Sequence, residues 1–226
     1  MSNPRITVDT RTGVRTAKND RRTGLPNTQQ SEGTHIMAST DHTPTREMVK
    51  VSGTTLGQVK STRLEAATYR LPDGTDKDVA VVHRPDAVGI LPVRRTLVGV
   101  EVFLVSQPRP VIGNPHLVEV VAGKIDPGET AGQAAARELA EEAGLSARIW
   151  WTLAPALAVS PGYSTEHMHL VVAEDLHTVP KRAEDAAITG MWVSLAEAWQ
   201  ATTSGAVTDM KTVVALHLLA AKWVTA

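Results

Sequence analysis

Between Gly123 and Leu145 the chain reads GKIDPGETAGQAAARELAEEAGL, and its charged residues are spaced for one kind of chemistry. Glu138, Glu141 and Glu142 stand at i, i+3 and i+4, so on a helix they share one face. Three like charges there oppose one another unless a cation neutralises them. Ligands that are all carboxylate oxygen suit Mg²⁺ or Mn²⁺. Arg137 precedes Glu141 by one helical turn and can pair with it and orient it. An ordinary solvated acidic helix face would carry the same three acids. What separates the two readings is the company the acids keep, because Gly123, Glu129, Arg137 and Gly144 stand in fixed register around them.

The same stretch holds the signals that would position the acids. Pro127-Gly128 is a turn pair. Thr130 with Gln133 forms a capping box, which predicts a helix from about Ala131. The residues that follow are Ala-rich and strongly helix-forming. Gly144 is the natural residue to end the helix in a left-handed conformation. Leu117 to Val121 reads as a strand that leads into Gly123. Strand, loop and helix are therefore consecutive.

This pattern resembles the signature of the Nudix hydrolases, and every defining position is filled. The resemblance implies an α/β/α sandwich with a mixed sheet. It implies metal-dependent hydrolysis of a nucleoside diphosphate linked to another moiety, with Mg²⁺ or Mn²⁺. Glu138 and Glu142 would be the principal metal ligands, with Glu141 sharing that work and the Ala122 carbonyl completing the shell. The metal would activate a water that attacks phosphorus. Glu129 would brace the loop through Arg137, a role compatible with its charge complementing the helix dipole. The general base would come from the loop before the last strand, where Glu184 and Asp185 lie. Glu166, just after Pro161, is a second candidate, and any of the three could equally be a solvated charge.

Within the family the chain is most similar to the ADP-ribose pyrophosphatases. Pro161, in SPGYSTE, stands sixteen positions after Leu145. Gln107-Pro108-Arg109 resembles their Gln-x-Arg element, and Glu119-x-x-Ala122-Gly123 resembles their lead-in. Members often carry Trp before that Glu and Pro before the Ala, where this chain has Val118 and Val121. The expected substrate is ADP-ribose, cleaved to AMP and ribose 5-phosphate. Arg109 could hold a phosphate or the terminal ribose, or be a surface arginine. Arg109 and Glu119 would meet one end of the substrate; Pro161 and Tyr163 would shape the pocket at the other. Sugar-nucleotide hydrolysis of the GDP-mannose type is one alternative. A non-catalytic ADP-ribose-binding regulator is another.

Residues 1–45 show no sustained apolar period and read as a disordered tail, with His35 and His42 as lone polar residues. Residues 46–85 read as a small antiparallel β subdomain, with strands at 47–51, 66–71 and 78–83 and a turn at Pro72-Asp73-Gly74-Thr75. The resemblance implies a homodimer formed through it. Residues 86–226 read as the catalytic domain. Its strands are expected at 87–91 (stopped by Pro92), 97–106 (buried), 147–151 and 156–159 (separated by Pro155), 168–173 and 188–193. Ser194 with Glu197 and then Thr208 open two closing helices. His167 and His169 alternate along a strand and so share a face. With no third ligand nearby they read as structural or substrate-stacking.

A formal net charge of -1 argues against a general nucleic-acid binder. No run is long enough to suggest a membrane span. The N-terminus lacks an apolar signal-peptide core. With 0 cysteines, disulfide and thiolate chemistry are excluded, and a cytoplasmic protein is the expectation.

Overall fold

The structure is a computed structural model that describes residues 47–181 and 187–224, the last two in backbone only. The tail reading for 1–45 lies outside the described residues.

Three strands come first: β1 (Val49–Val59), β2 (Thr62–Arg70) and β3 (Asp76–His83), paired antiparallel in that order. The predicted turn joins β2 to β3. The Asp73 carboxylate accepts from Thr75 N and Oγ1 at 2.9 and 2.6 Å, and Gly74 supplies φ +86°. β1 runs eight residues beyond the predicted 47–51. Its Ser, Gly and Thr look like a loop, but irregularities at Lys50/Ser52 and Thr55/Gly57 absorb them without ending the ladder. One buried carboxylate ties the three strands together. Glu65 on β2 binds Lys50 of β1, Arg63 at 3.0 Å and His83 of β3 at 2.6 Å. The hydrogen bonds from Lys50 and His83 outweigh desolvation and lower its pKa to about 2. A Cβ at Gly53 would come 1.8 Å from Glu65 Oε1, so this carboxylate requires glycine opposite it.

The larger sheet contains β4 (Ala87–Thr96), β5 (Gly99–Arg109), β6 (Asn114–Glu119), β7 (Val121–Lys124), β8 (Leu145–Ala158), β9 (His167–Thr178) and β10 (Thr189–Ser194). The order is β10-β5-β4-β9-β8, with β6 on β5 and β7 on β4. β4 and β9 run parallel and the other pairs antiparallel, so the sheet is mixed. Alternation along the strands sends side chains to two cores. Val88, Ile90 and Val105 pack with Ala134, Ala135 and Leu139 of the helical segment that begins with α1 (Ala131–Glu138). Leu91, Val93, Val102 and Leu104 pack on the other face with α2 (Leu195–Thr203) and α3 (Met210–Val224). This is the expected α/β/α sandwich with a three-stranded antiparallel sheet before it. Among the described residues no helix is long and apolar enough to cross a membrane.

Four local expectations are corrected. Pro92 does not stop β4. One edge of β4 pairs with β7 over Ala87–Ile90 and with β5 over Val93–Thr96, so Pro92 sits in the gap between two partners. Its missing N–H therefore breaks no ladder bond on that edge. Leu97 and Val98 are not buried; they form the exposed tip of the hairpin in which Thr96 pairs with Gly99. Pro155 does not split β8, because the strand bulges there and Ala156 adopts φ +22°. The cap of α3 is Asp209 and not Thr208, since the Asp209 carboxylate accepts Thr212 N at 3.0 Å.

That cap reaches across the fold. Thr212 Oγ1 donates to Asp209 Oδ2 at 2.5 Å and accepts from Val120 N at 2.8 Å. Val120 is the break between β6 and β7, so α3 holds the strand immediately before the signature loop. Thr212 is fully buried. Thr212→Val keeps its shape but leaves the Val120 N–H unpaired. The expected cost is about 1–3 kcal/mol in urea unfolding, with Thr212→Ser recovering most of it.

Candidate active site

The signature loop hangs from β7, which pairs with β4 as Ala122↔Gly89 and Gly123↔Val88. Ile125 N then donates to Asp86 O at 2.9 Å. The helix begins as predicted. Thr130 accepts from Gln133 N at 3.2 Å, Gln133 Oε1 accepts from Thr130 N at 2.8 Å, and Ala131 is the first helical residue. Gly144 ends the segment at φ +64°.

The helix does not stay α-helical throughout. Leu139–Ala143 form a π-helical turn, and Glu141 and Glu142 lie within it. The simple one-face stacking expected for three acids on an α-helix is therefore modified. Glu138 closes over Gly123, where a Cβ would meet its carboxyl at 1.9 Å. Glu142 lies against the preceding residue, accepting Ala122 N at 3.2 Å. The two acids thus address successive residues of β7, and glycine at 123 is a steric requirement of Glu138.

Arg137 organises the rest. Its Nε and Nη2 donate to the two oxygens of Glu129, both at 2.9 Å. Nη2 also donates to Lys124 O at 3.0 Å. Nη1 reaches Glu138 at 2.6 Å and Glu141 at 3.3 Å. Glu129 in turn accepts Asp126 N at 3.0 Å. The Arg137 guanidinium lowers the Glu129 pKa to about 2, and Glu129 above all raises that of Arg137.

A cleft of about 1010 Å³ opens beside this loop. Ala122, Gly123 and Glu138 form one part of its lining. Arg109 and Glu119 form another, but they bind each other: Nε to Oε1 at 2.6 Å and Nη2 to Oε2 at 2.7 Å. Lys211 binds the same Glu119 carboxylate. Burial alone would push Glu119 up; the bonds from Arg109 and Lys211 win and hold it below the usual range. Glu166 also lines the cleft and pairs with Arg84 at 3.3 Å.

Other expected residues fall elsewhere. Tyr163 is exposed, and its carbonyl accepts Val82 N at 2.7 Å, so the Pro161 loop docks by backbone on β3. Neither Pro161 nor Tyr163 lines the cleft. His167 and His169 both face Asp86, at 3.5 and 3.9 Å. Glu184 and Asp185 lie outside the described residues. Sequence reasoning did not single out Arg84, Asp209 or Lys211 as site residues. The Asp209–Thr212 cap spacing could have placed the start of α3, but no local signal marks Lys211.

The donor set can be tested for a metal. Among the described residues, no three acidic or histidine side chains are gathered as a ready-made cage. The available donors are nevertheless all oxygen: the carboxylates of Glu138, Glu141 and Glu142 and the Ala122 carbonyl. In type they fit a hard divalent cation.

Fold and site together define an α/β/α enzyme domain whose acidic helix closes on a glycine loop. The NUDIX domain family model matches residues 83–215. The ADP-ribose pyrophosphatase of Bacillus subtilis (strain 168) is 34% identical over 155 residues, 67% of this chain and 81% of that protein. The methanol dehydrogenase activator of Bacillus methanolicus is 30% identical over 161 residues, 70% of this chain and 84% of that protein. A crystal structure of an ADP compounds hydrolase shares the fold, with a TM-score of 0.68 over 79% of this chain and 95% of that one, at 24% identity. The chain belongs to the Nudix family and is a Nudix hydrolase.

The Arg137 brace has a pH signature. A depressed carboxylate pKa adds stability above its ordinary value of 4.5, and that stability is lost as the pH falls towards about 2. Arg137→Met removes the cation responsible. The variant is expected to be less stable at pH 7 and to lose less stability between these two pH values, as read from urea midpoints along the titration.

Proposed function

We propose that this chain hydrolyses the pyrophosphate bond of ADP-ribose, giving AMP and ribose 5-phosphate, with Mg²⁺ or Mn²⁺. The observation that carries this reading is the likeness to the Bacillus subtilis ADP-ribose pyrophosphatase, which spans 81% of that protein. The cleft supports it, because the acid-lined loop and the Arg109–Glu119–Lys211 group share one cavity. Such an arrangement suits a diphosphate carrying a polar group that needs its own partners.

Glu138 and Glu142, with Glu141 and the Ala122 carbonyl, would hold the metal, which neutralises the diphosphate and makes water a nucleophile near neutral pH. Arg137 keeps the acids apart and the loop in place. Gly123 leaves room for the Glu138 carboxyl. Arg109 presents a guanidinium to a phosphate or to ribose hydroxyls. Glu184 or Asp185 takes the proton of the attacking water, with Glu166 as the alternative acceptor. Pro161 and Tyr163 meet substrate only if a further surface is brought to them.

A homodimer is part of the same reading. Residues 46–85 serve as the dimer-forming subdomain and 86–226 as the catalytic domain. Every residue of β1 is exposed, including Val49, Val51, Leu56 and Val59. A strand of that length and character invites a partner. Sedimentation at micromolar concentration is expected to give a dimer; a monomer there would remove this part.

The substrate is tested by incubating the protein and Mg²⁺ with ADP-ribose, GDP-mannose, NADH, coenzyme A and nucleoside triphosphates. ADP-ribose is expected to be cleaved fastest. Glu142→Gln should lower turnover about a thousandfold or more, as loss of a ligand charge at a metal implies. Among Glu166→Gln, Glu184→Gln and Asp185→Asn, the variant that loses rate but not affinity names the base. Preference for GDP-mannose would overturn the substrate choice, and binding of ADP-ribose without AMP release would make the chain a regulator.

A further inference from the structure

Lys211 lies outside the residues that the reaction above requires, yet it lines the cleft. Its side chain is 15% exposed, and its ammonium is committed to Glu119 on one side and to Asp209, at 2.9 Å, on the other. Glu119 has no exposed side-chain surface and is gripped from its far side by Arg109. Two cations and two carboxylates therefore meet at one part of the cleft, and their charges cancel. Arg84 and Glu166, also in the lining, balance each other.

The balance matters because a diphosphate is an anion. Without Lys211, Glu119 and Asp209 would face it with Arg109 alone, a net negative charge where an anionic ligand must enter. The buried Glu119 would also keep one cation in place of two. A carboxylate held from one side only can turn, and Arg109, bonded to both its oxygens, turns with it.

We infer that Lys211 is a positioning residue for the reaction: through Glu119 it fixes the Arg109 guanidinium in the cleft, and through its charge it keeps that part of the cleft from repelling a diphosphate. This rests on the diphosphate reading proposed above. Lys211 differs in kind from Thr212 beside it, which anchors backbone. Lys211 touches no backbone group in the site; what it holds is a side-chain charge array.

Three variants test it, assayed on whichever diphosphate the wild-type protein cleaves fastest. Lys211→Met should raise KM about tenfold at low salt and leave kcat within about threefold, the pattern of lost binding common to ground and transition states. That deficit should shrink as salt is added, because exposed charges are screened within about 10 Å at 0.1 M. Lys211→Arg, which keeps the charge, should stay within about threefold of wild type. Adding Asp209→Asn to Lys211→Met returns the cluster to zero charge, and asparagine still caps α3. KM should then recover by about threefold or more. A merely structural lysine predicts the reverse, a double variant less stable in thermal unfolding and no better in KM. A normal KM in Lys211→Met, or no recovery in the double variant, overturns the inference. If wild type cleaves no diphosphate, the catalytic reading fails by itself; the same comparisons are then made on Kd for ADP-ribose by calorimetry, with the same ratios expected.

Discussion

One guanidinium decides whether the acid-lined loop can exist. Arg137 meets Glu129, the Lys124 carbonyl, Glu138 and Glu141 at 3.3 Å or less. Without it, acids on the loop and on the helix would confront one another across a few ångströms. With it, each has a fixed partner, and the loop is bonded at its start, its turn and its helix. A planar fork with five donors can do this; a lysine ammonium, a point charge with three, cannot reach the same set in one geometry. The depressed Glu129 and the raised Arg137 are two views of that one interaction.

The cleft is held from both faces of the sheet. On one face the helical segment beginning with α1 brings Glu138 and Glu142 onto β7. On the other, the first turn of α3 fixes Val120 and Glu119. The short break between β6 and β7 is where the two supports meet. Its backbone N–H at Val120 goes to a buried hydroxyl and the next but one, at Ala122, goes to Glu142. Accounting for these donors explains why the strand is interrupted where the chemistry is placed.

What could be read from the sequence was local. The capping box at Thr130, the terminator at Gly144 and the turn at Asp73 depend on neighbours a few residues away, and all three are present. The acids of the signature were legible for the same reason. The rest depended on partners distant in the chain. Pro92 is harmless because β4 changes partner there. The pairing of Arg109 with Glu119 is set by β5 lying against β6, and Lys211 reaches Glu119 across 92 residues of chain. Tyr163 looked like a pocket aromatic, yet its loop is claimed by β3, a strand from the other sheet. The π-helical turn has no composition signal, since Ala, Leu and Glu favour the α-helix.

That turn has a consequence for how the segment tolerates change. A π-helical turn behaves as an α-helix with one residue too many. Substitutions within Leu139–Ala143 leave the count intact, and the two acids keep their neighbours on β7. A one-residue deletion there would restore a regular spiral and rotate everything after it by roughly 100°. Gly144 and the start of β8 would then be out of phase with the sheet. The segment is thus forgiving of spelling and intolerant of length, and the reading frame of the helix is itself part of the site.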